Sequence, residues 1–128
     1  MNLINKTVIT AILIGVSIAS TANAWAGKTV CIGTNAQDRN GLIYLPNTSE
    51  PFSGKNLCKY ENGQTRWQGK IDDGHKDGTW TYWHENGQMA YERNYKDGKK
   101  DGKWTRWDED GWVQYEGNYK DGKCIDCY

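Results

Sequence analysis

Branched aliphatic residues are scarce: only nine Val, Ile or Leu residues lie beyond residue 26. That excludes a thick aliphatic core and leaves stability to other apolar groups packed on a thin scaffold. Excess charge is missing too, since 16 Lys and Arg stand against 16 Asp and Glu. A neutral chain with both signs interspersed lacks the electrostatic footprint of a nucleic-acid binder, so neither DNA nor RNA is an expected partner. No apolar run spans a bilayer comfortably. The longest, the 14-residue TVITAILIGVSIAS, follows MNLINK with its one Lys and precedes TANAWA. There Ala22 and Ala24, or Ala24 and Ala26, satisfy the small-x-small rule, which predicts a cleaved secretory signal over residues 1–26 and export to the periplasm or the exterior. No Leu-x-x-Cys box precedes Cys31, so no lipid anchor is expected.

What the chain has instead is aromatic. All 16 Trp, Tyr and Phe residues lie from Trp25 onward, and so do all four cysteines. An even cysteine count in an exported chain implies disulfides.

The aromatics recur at a fixed period. Asp77-Gly78-Thr79-Trp80 returns 24 residues later as Asp101-Gly102-Lys103-Trp104. The same offset carries Glu61-Asn62-Gly63 onto Glu85-Asn86-Gly87 and Glu109-Asp110-Gly111, and Ile71-Asp72-Asp73-Gly74 onto Tyr95-Lys96-Asp97-Gly98 and Tyr119-Lys120-Asp121-Gly122. Asn-Gly and Asp-Gly between aromatic-rich segments favour two-residue hairpin turns. The expected register sets Glu85 against Gln88, His84 against Met89, Trp83 against Ala90, Tyr82 against Tyr91 and Trp80 against Arg93. One face then carries Cys58, Trp67, Ile71, Trp80, Tyr82, Met89, Tyr91, Tyr95, Trp104, Val113, Tyr115 and Tyr119 as a core stripe. The other is solvated, holding Thr81, Glu85, Gln88, Glu92 and Asn94, yet it also carries Trp83 and Trp107. Gly69 and Gly117 leave bare backbone for a facing ring, as at Trp104 opposite Gly117. The Asp-Gly-x-x-Asp-Gly segments read as hydrated return loops.

These features predict an all-β fold of tandem 24-residue hairpins joined edge to edge into one elongated, twisted antiparallel meander. Residues 27–53 read as an N-terminal cap with a strand over 42–45. Residues 54–128 read as the repeats, 54–77, 78–101 and 102–125 with the start of a fourth.

The cycle DGTWTYWHENGQMAYERNYKDGKK, with its Asp-Gly-x-Trp and Gly-x-Tyr elements, resembles the MORN repeat in its bacterial variant form. The stretch from Gly41 to Tyr128 is similar to bacterial YwqK-like antitoxins. The resemblance implies an interaction scaffold for protein partners, membrane lipids or self-association, or neutralisation of a partner toxin. It brings no catalytic residue and no cofactor.

Cys124-Ile125-Asp126-Cys127 occupies the slot of a return loop, and it reads as a disulfide clasp first, as cysteines pairing with another cysteine or a partner second, and last as a redox pair, which would sit at a helix N-terminus. Cys58 and Cys127, six strand spacings or about 29 Å apart, cannot bond, so Cys31 is the expected partner of Cys58. The same distance argues against a zinc site from the four cysteines. His75 and His84 read as solvated turn residues, and DDGHKDG lacks the ligand pattern of a calcium loop. No nucleophile system or carboxylate pair stands out, so no enzyme is expected. The remaining candidates for a partner, a cell-wall glycan or a lipid headgroup are Trp83, Trp107 and Trp112. The open edges at the cap and at Tyr128 are the expected places for self-association, the last one blunted by Lys-rich loops and the Cys124–Cys127 clasp.

Overall fold

The computed structural model describes residues 27–128, so the signal segment of residues 1–26 lies outside the described residues. Ten strands form in chain order: β1 (Thr29–Val30), β2 (Gln37–Arg39), β3 (Leu42–Tyr44), β4 (Gly54–Lys59), β5 (Thr65–Asp72), β6 (His75–Trp83), β7 (Met89–Lys96), β8 (Lys99–Trp107), β9 (Val113–Lys120) and β10 (Lys123–Cys127). Strands β4 to β10 pair in sequence as an antiparallel meander, and β1 adds a short parallel edge beside β4. Strands β2 and β3 form a separate ribbon. The fold is all-β, as the periodicity requires.

The two kinds of turn exchange the roles expected of them. Asp73-Gly74, Asp97-Gly98 and Asp121-Gly122 all have positive φ at both residues. That is the signature of a tight two-residue type I′ hairpin, so the supposed return loops are the tight turns. At Asn62-Gly63, Asn86-Gly87 and Asp110-Gly111 only the glycine is left-handed. His84 N–H donates to the Gln88 carbonyl at 2.8 Å and Gly87 N–H to the His84 carbonyl at 3.0 Å, closing a three-residue loop. Tyr60 with Gln64, and Asp108 with Trp112, close the same way. Glu85 is therefore a loop residue, and Gln88 faces His84 instead of Glu85. The second Asp-Gly of each segment lies within β6 or β8.

A bulge follows each three-residue loop. Tyr82 pairs with Tyr91 and Trp80 with Arg93 as the hairpin register requires, but Trp83 pairs with Met89 and leaves Ala90 extra. Trp107 pairs with Val113 by the same slip, and Lys59 with Thr65. One extra residue reverses the alternation beyond it. Met89 and Val113, expected in the core stripe, are consequently 37% and 52% exposed, while Ala90 takes the inner position and is buried.

Successive units are locked turn to strand. Gly98 N–H donates to the Lys76 carbonyl at 2.9 Å and Gly122 N–H to the Lys100 carbonyl at 2.8 Å. The cap supplies the missing member of this series, because Gly74 N–H donates to the Phe52 carbonyl at 2.8 Å. Ile43 N–H also donates to the Gly74 carbonyl at 2.9 Å, seating the β2–β3 ribbon on the first tight turn. Side chains of the cap close the core over the sheet: Val30, Ala36, Ile43 and Phe52 pack with Ile71 and Trp80, and Trp67, Tyr82 and Tyr95 flank them. Cys31 is bonded to Cys58 with Cα atoms 4.9 Å apart, tying the cap to β4. Cys124 is bonded to Cys127 with Cα atoms 6.3 Å apart, inside the exposed edge strand β10, so this slot is a bulged strand and not a loop.

Candidate interaction surfaces

The inner face is built by rings that step across the sheet. Trp67, Trp80, Tyr95, Trp104 and Tyr119 form a chain of neighbours with centroids 5.2 to 6.5 Å apart, and Tyr82 stacks on Trp67 at 5.4 Å. Trp80 is fully buried, its indole N–H donating to the Lys70 carbonyl at 3.1 Å, and Trp104 repeats that bond to the Asn94 carbonyl at 2.8 Å. Trp80 lies over Gly69, where a side chain would collide with it. Trp104 pairs with Gly117 as the register requires, but the ring nearest to that glycine is that of Tyr115. The Tyr115 and Tyr119 hydroxyls meet at 2.6 Å, a bond that raises the Tyr115 pKa above the ordinary phenol value.

Between the rings lie cations, of which Lys76 and Lys100 belong to the segments expected to be hydrated loops. Lys76 Nζ sits 5.0 Å from the Trp80 centroid and 5.5 Å from that of Tyr95. One period later Lys100 Nζ sits 4.4 Å from Trp104 and 4.8 Å from Tyr119. The Arg93 guanidinium lies 4.4 Å from Tyr91 and 5.0 Å from Trp104, and Arg106 lies 5.6 Å from Tyr91. A cation over a ring face keeps its charge while its alkyl stem covers apolar surface. The signal was present: Lys76 and Lys100 stand at the same place in the 24-residue cycle, four residues before a tryptophan. Burial is the main influence on the titrating groups here. It lowers the Lys76 pKa, with the Asp38 carboxylate of the cap pulling the other way, and it pushes the Tyr82 phenol up to about 12 and raises that of Tyr95.

The cap covers only the first part of this face. Beyond it a groove of about 430 Å³ opens, lined in part by Tyr91, Arg93, Lys100, Trp104, Arg106 and Tyr115.

The outer face carries a second row. The bulges bring Met89 beside Trp83 and Val113 beside Trp107, both pairs at the three-residue-loop end of the sheet. Trp83 and Trp107 are half-buried; Trp112, which closes the last such loop against Asp108, is 72% exposed. These loops are cross-linked along the row. The Tyr60 hydroxyl donates to the Trp83 carbonyl at 2.7 Å, His84 Nε2 meets the Trp107 carbonyl at 3.1 Å, and the Asn86 amide donates to the Glu109 carbonyl at 2.9 Å. His84 is thus a half-buried strut between units instead of a free turn residue. His75 opens β6, half-buried against Gly98 of the next tight turn.

Hairpin, tight turn, ring and cation all repeat from β6–β7 to β8–β9. Residues 76–97 and 100–121 match the MORN repeat variant. The two MORN-variant segments begin at Lys76 and Lys100 and end in the Asp-Gly turns, so each holds one hairpin with its cation and its ring. The β4–β5 hairpin lies outside the matched residues but carries the same three-residue loop and bulge. No curated protein and no solved structure matches the chain.

Proposed function

We propose that the chain is an exported, non-enzymatic repeat scaffold that binds a protein partner, with the row of Trp83, Met89, Trp107, Val113 and Trp112 as the contact. The observation that carries this reading is that two register slips turn Met89 and Val113 outward beside tryptophans, on the face that the cap leaves free. Apolar side chains exposed in a row on a rigid sheet are characteristic of contact surfaces, and tryptophan is the residue most enriched at their energetic centres. MORN repeats in general serve protein or membrane interaction, which agrees with a contact role.

The test is native co-purification from the cell envelope followed by mass spectrometry, with the wild-type chain and with a Trp83→Ala/Trp107→Ala variant of unchanged circular dichroism. Loss of a wild-type partner in the variant supports the reading. A folded variant that keeps every partner refutes the assignment of the surface.

A further inference from the structure

The cap occupies one place on the inner face, and the groove is the same place one period later. Under the cap, the ring of Trp80 and the cation of Lys76 meet Ile43 of the ribbon and the field of the Asp38 carboxylate. In the groove, Trp104 and Lys100 stand where Trp80 and Lys76 stood, offset by 24 residues, and Tyr119 replaces Tyr95. There is no ribbon above them.

The charges make the difference sharper. The three ion pairs among the described residues are Lys70 with Asp77, Lys103 with Glu116 and Lys120 with Asp101. None involves Arg93, Lys100 or Arg106, although the whole chain has as many acidic as basic residues. Three cations without a carboxylate partner therefore line one groove of an otherwise balanced molecule. Arg93 and Lys100 are half-buried and Arg106 is exposed, and cations beside ring walls gain most from a carboxylate that also excludes water. A broad polyanion would need a wider basic surface than this neutral chain offers.

We infer that this groove is a second binding site, independent of the outer tryptophan row, for a peptide segment of another protein that pairs a carboxylate with an aliphatic side chain. The carboxylate meets Lys100 and Arg106 while the aliphatic group lies against Trp104, as Ile43 packs with Trp80 under the cap and the Asp38 carboxylate acts on Lys76 through its field.

The probe is a synthetic peptide with the cap's own residues 37–45, QDRNGLIYL, beside a version with Asn in place of Asp38, titrated against the full chain at low and at high salt. Saturable binding is expected that weakens with salt, and about tenfold or more on loss of the carboxylate, the worth of one charge-assisted bond. A Lys100→Gln/Arg106→Gln variant should lose binding by a similar factor. A Lys96→Gln/Lys99→Gln variant, with the same change in net charge, should retain it, and so should Trp83→Ala/Trp107→Ala. Absence of saturable binding, equal affinity for the two peptides, or equal loss in the two lysine-containing variants would overturn the inference. So would binding to phosphatidylcholine–phosphatidylserine vesicles that depends on Lys100 and Arg106 while the peptide does not bind.

Discussion

Gly69 is the position at which adding one methyl group tests the inner face most directly. Its φ is not left-handed, so an alanine there meets no backbone strain. On an open sheet, Gly69→Ala would be neutral or would stabilise by about 0.4–1 kcal/mol through the unfolded chain. In this fold the new Cβ would collide with the Trp80 indole. Trp80 has no free volume to move into: it is fully buried, bonded to the Lys70 carbonyl and held between Trp67 and Tyr95. Overpacking of a tight site costs about 1–3 kcal/mol. For a domain of this size each 1 kcal/mol moves the midpoint by about 4–8 °C, so Gly69→Ala should lower Tm by about 5–20 °C. Thermal melts followed by near-ultraviolet circular dichroism report both the midpoint and the tryptophan environment. A variant with wild-type or higher Tm and an unchanged tryptophan signal would refute the packing of Trp80 on bare backbone.

Three further outcomes are expected. Replacing Cys31 and Cys58 by Ser opens a bridge with a sequence separation of 27 and should cost about 3.5 kcal/mol by loop-closure entropy, whereas the separation of 3 between Cys124 and Cys127 corresponds to about 1.6 kcal/mol; urea midpoints of the two double variants would rank them. Gly98→Ala forces a side chain into a left-handed turn and against His75 Nδ1, 2.8 Å from the new Cβ, so it should cost about 1–2 kcal/mol in the same assay. Stability should also bend with alkaline pH. The Lys76 pKa is lowered in the fold, so the unfolded chain holds more protons between that value and 10.5 and stability rises across that window. The Tyr82 pKa is raised from 10.0 to about 12, so there the folded chain holds more protons and stability falls from pH 10 toward 12. That loss is below about 1.4 kcal/mol per pH unit for each such tyrosine because the rings are partly solvated. Urea midpoints that stay level from pH 9 to 12 would contradict both shifts.

The all-β hairpin architecture was legible because period and turn residues are local properties: Trp80 and Trp104, Tyr95 and Tyr119 can be aligned by eye. The inner stripe was legible as far as it obeyed strict alternation. Met89 and Val113 fell outside that rule because Asn-Gly opens either a two-residue or a three-residue loop, and only backbone geometry decides which. The third loop residue adds the bulge that turns those side chains around. Lys76 and Lys100 were misread for a related reason. Asp-Gly on both sides suggested a wet loop, whereas the first Asp-Gly makes so tight a turn that the following lysine is already in a strand and its stem lies along a ring. The cap was opaque in detail because it departs from the period, and the groove's charge imbalance depends on which lysines and arginines find carboxylates in space.

The bond from each tight turn to the preceding unit, with Phe52 standing in at the cap, gives the molecule a fixed pitch. Adding or deleting a whole unit between cap and edge would preserve every such bond, so length can change in whole steps without redesign of either end. Each step adds two strands, or about 9.6 Å across the sheet. Trp83 and Trp107 are separated by one such step. A duplication would therefore add another tryptophan at the same interval, so the array acts as a ruler whose graduations are set by backbone hydrogen bonds.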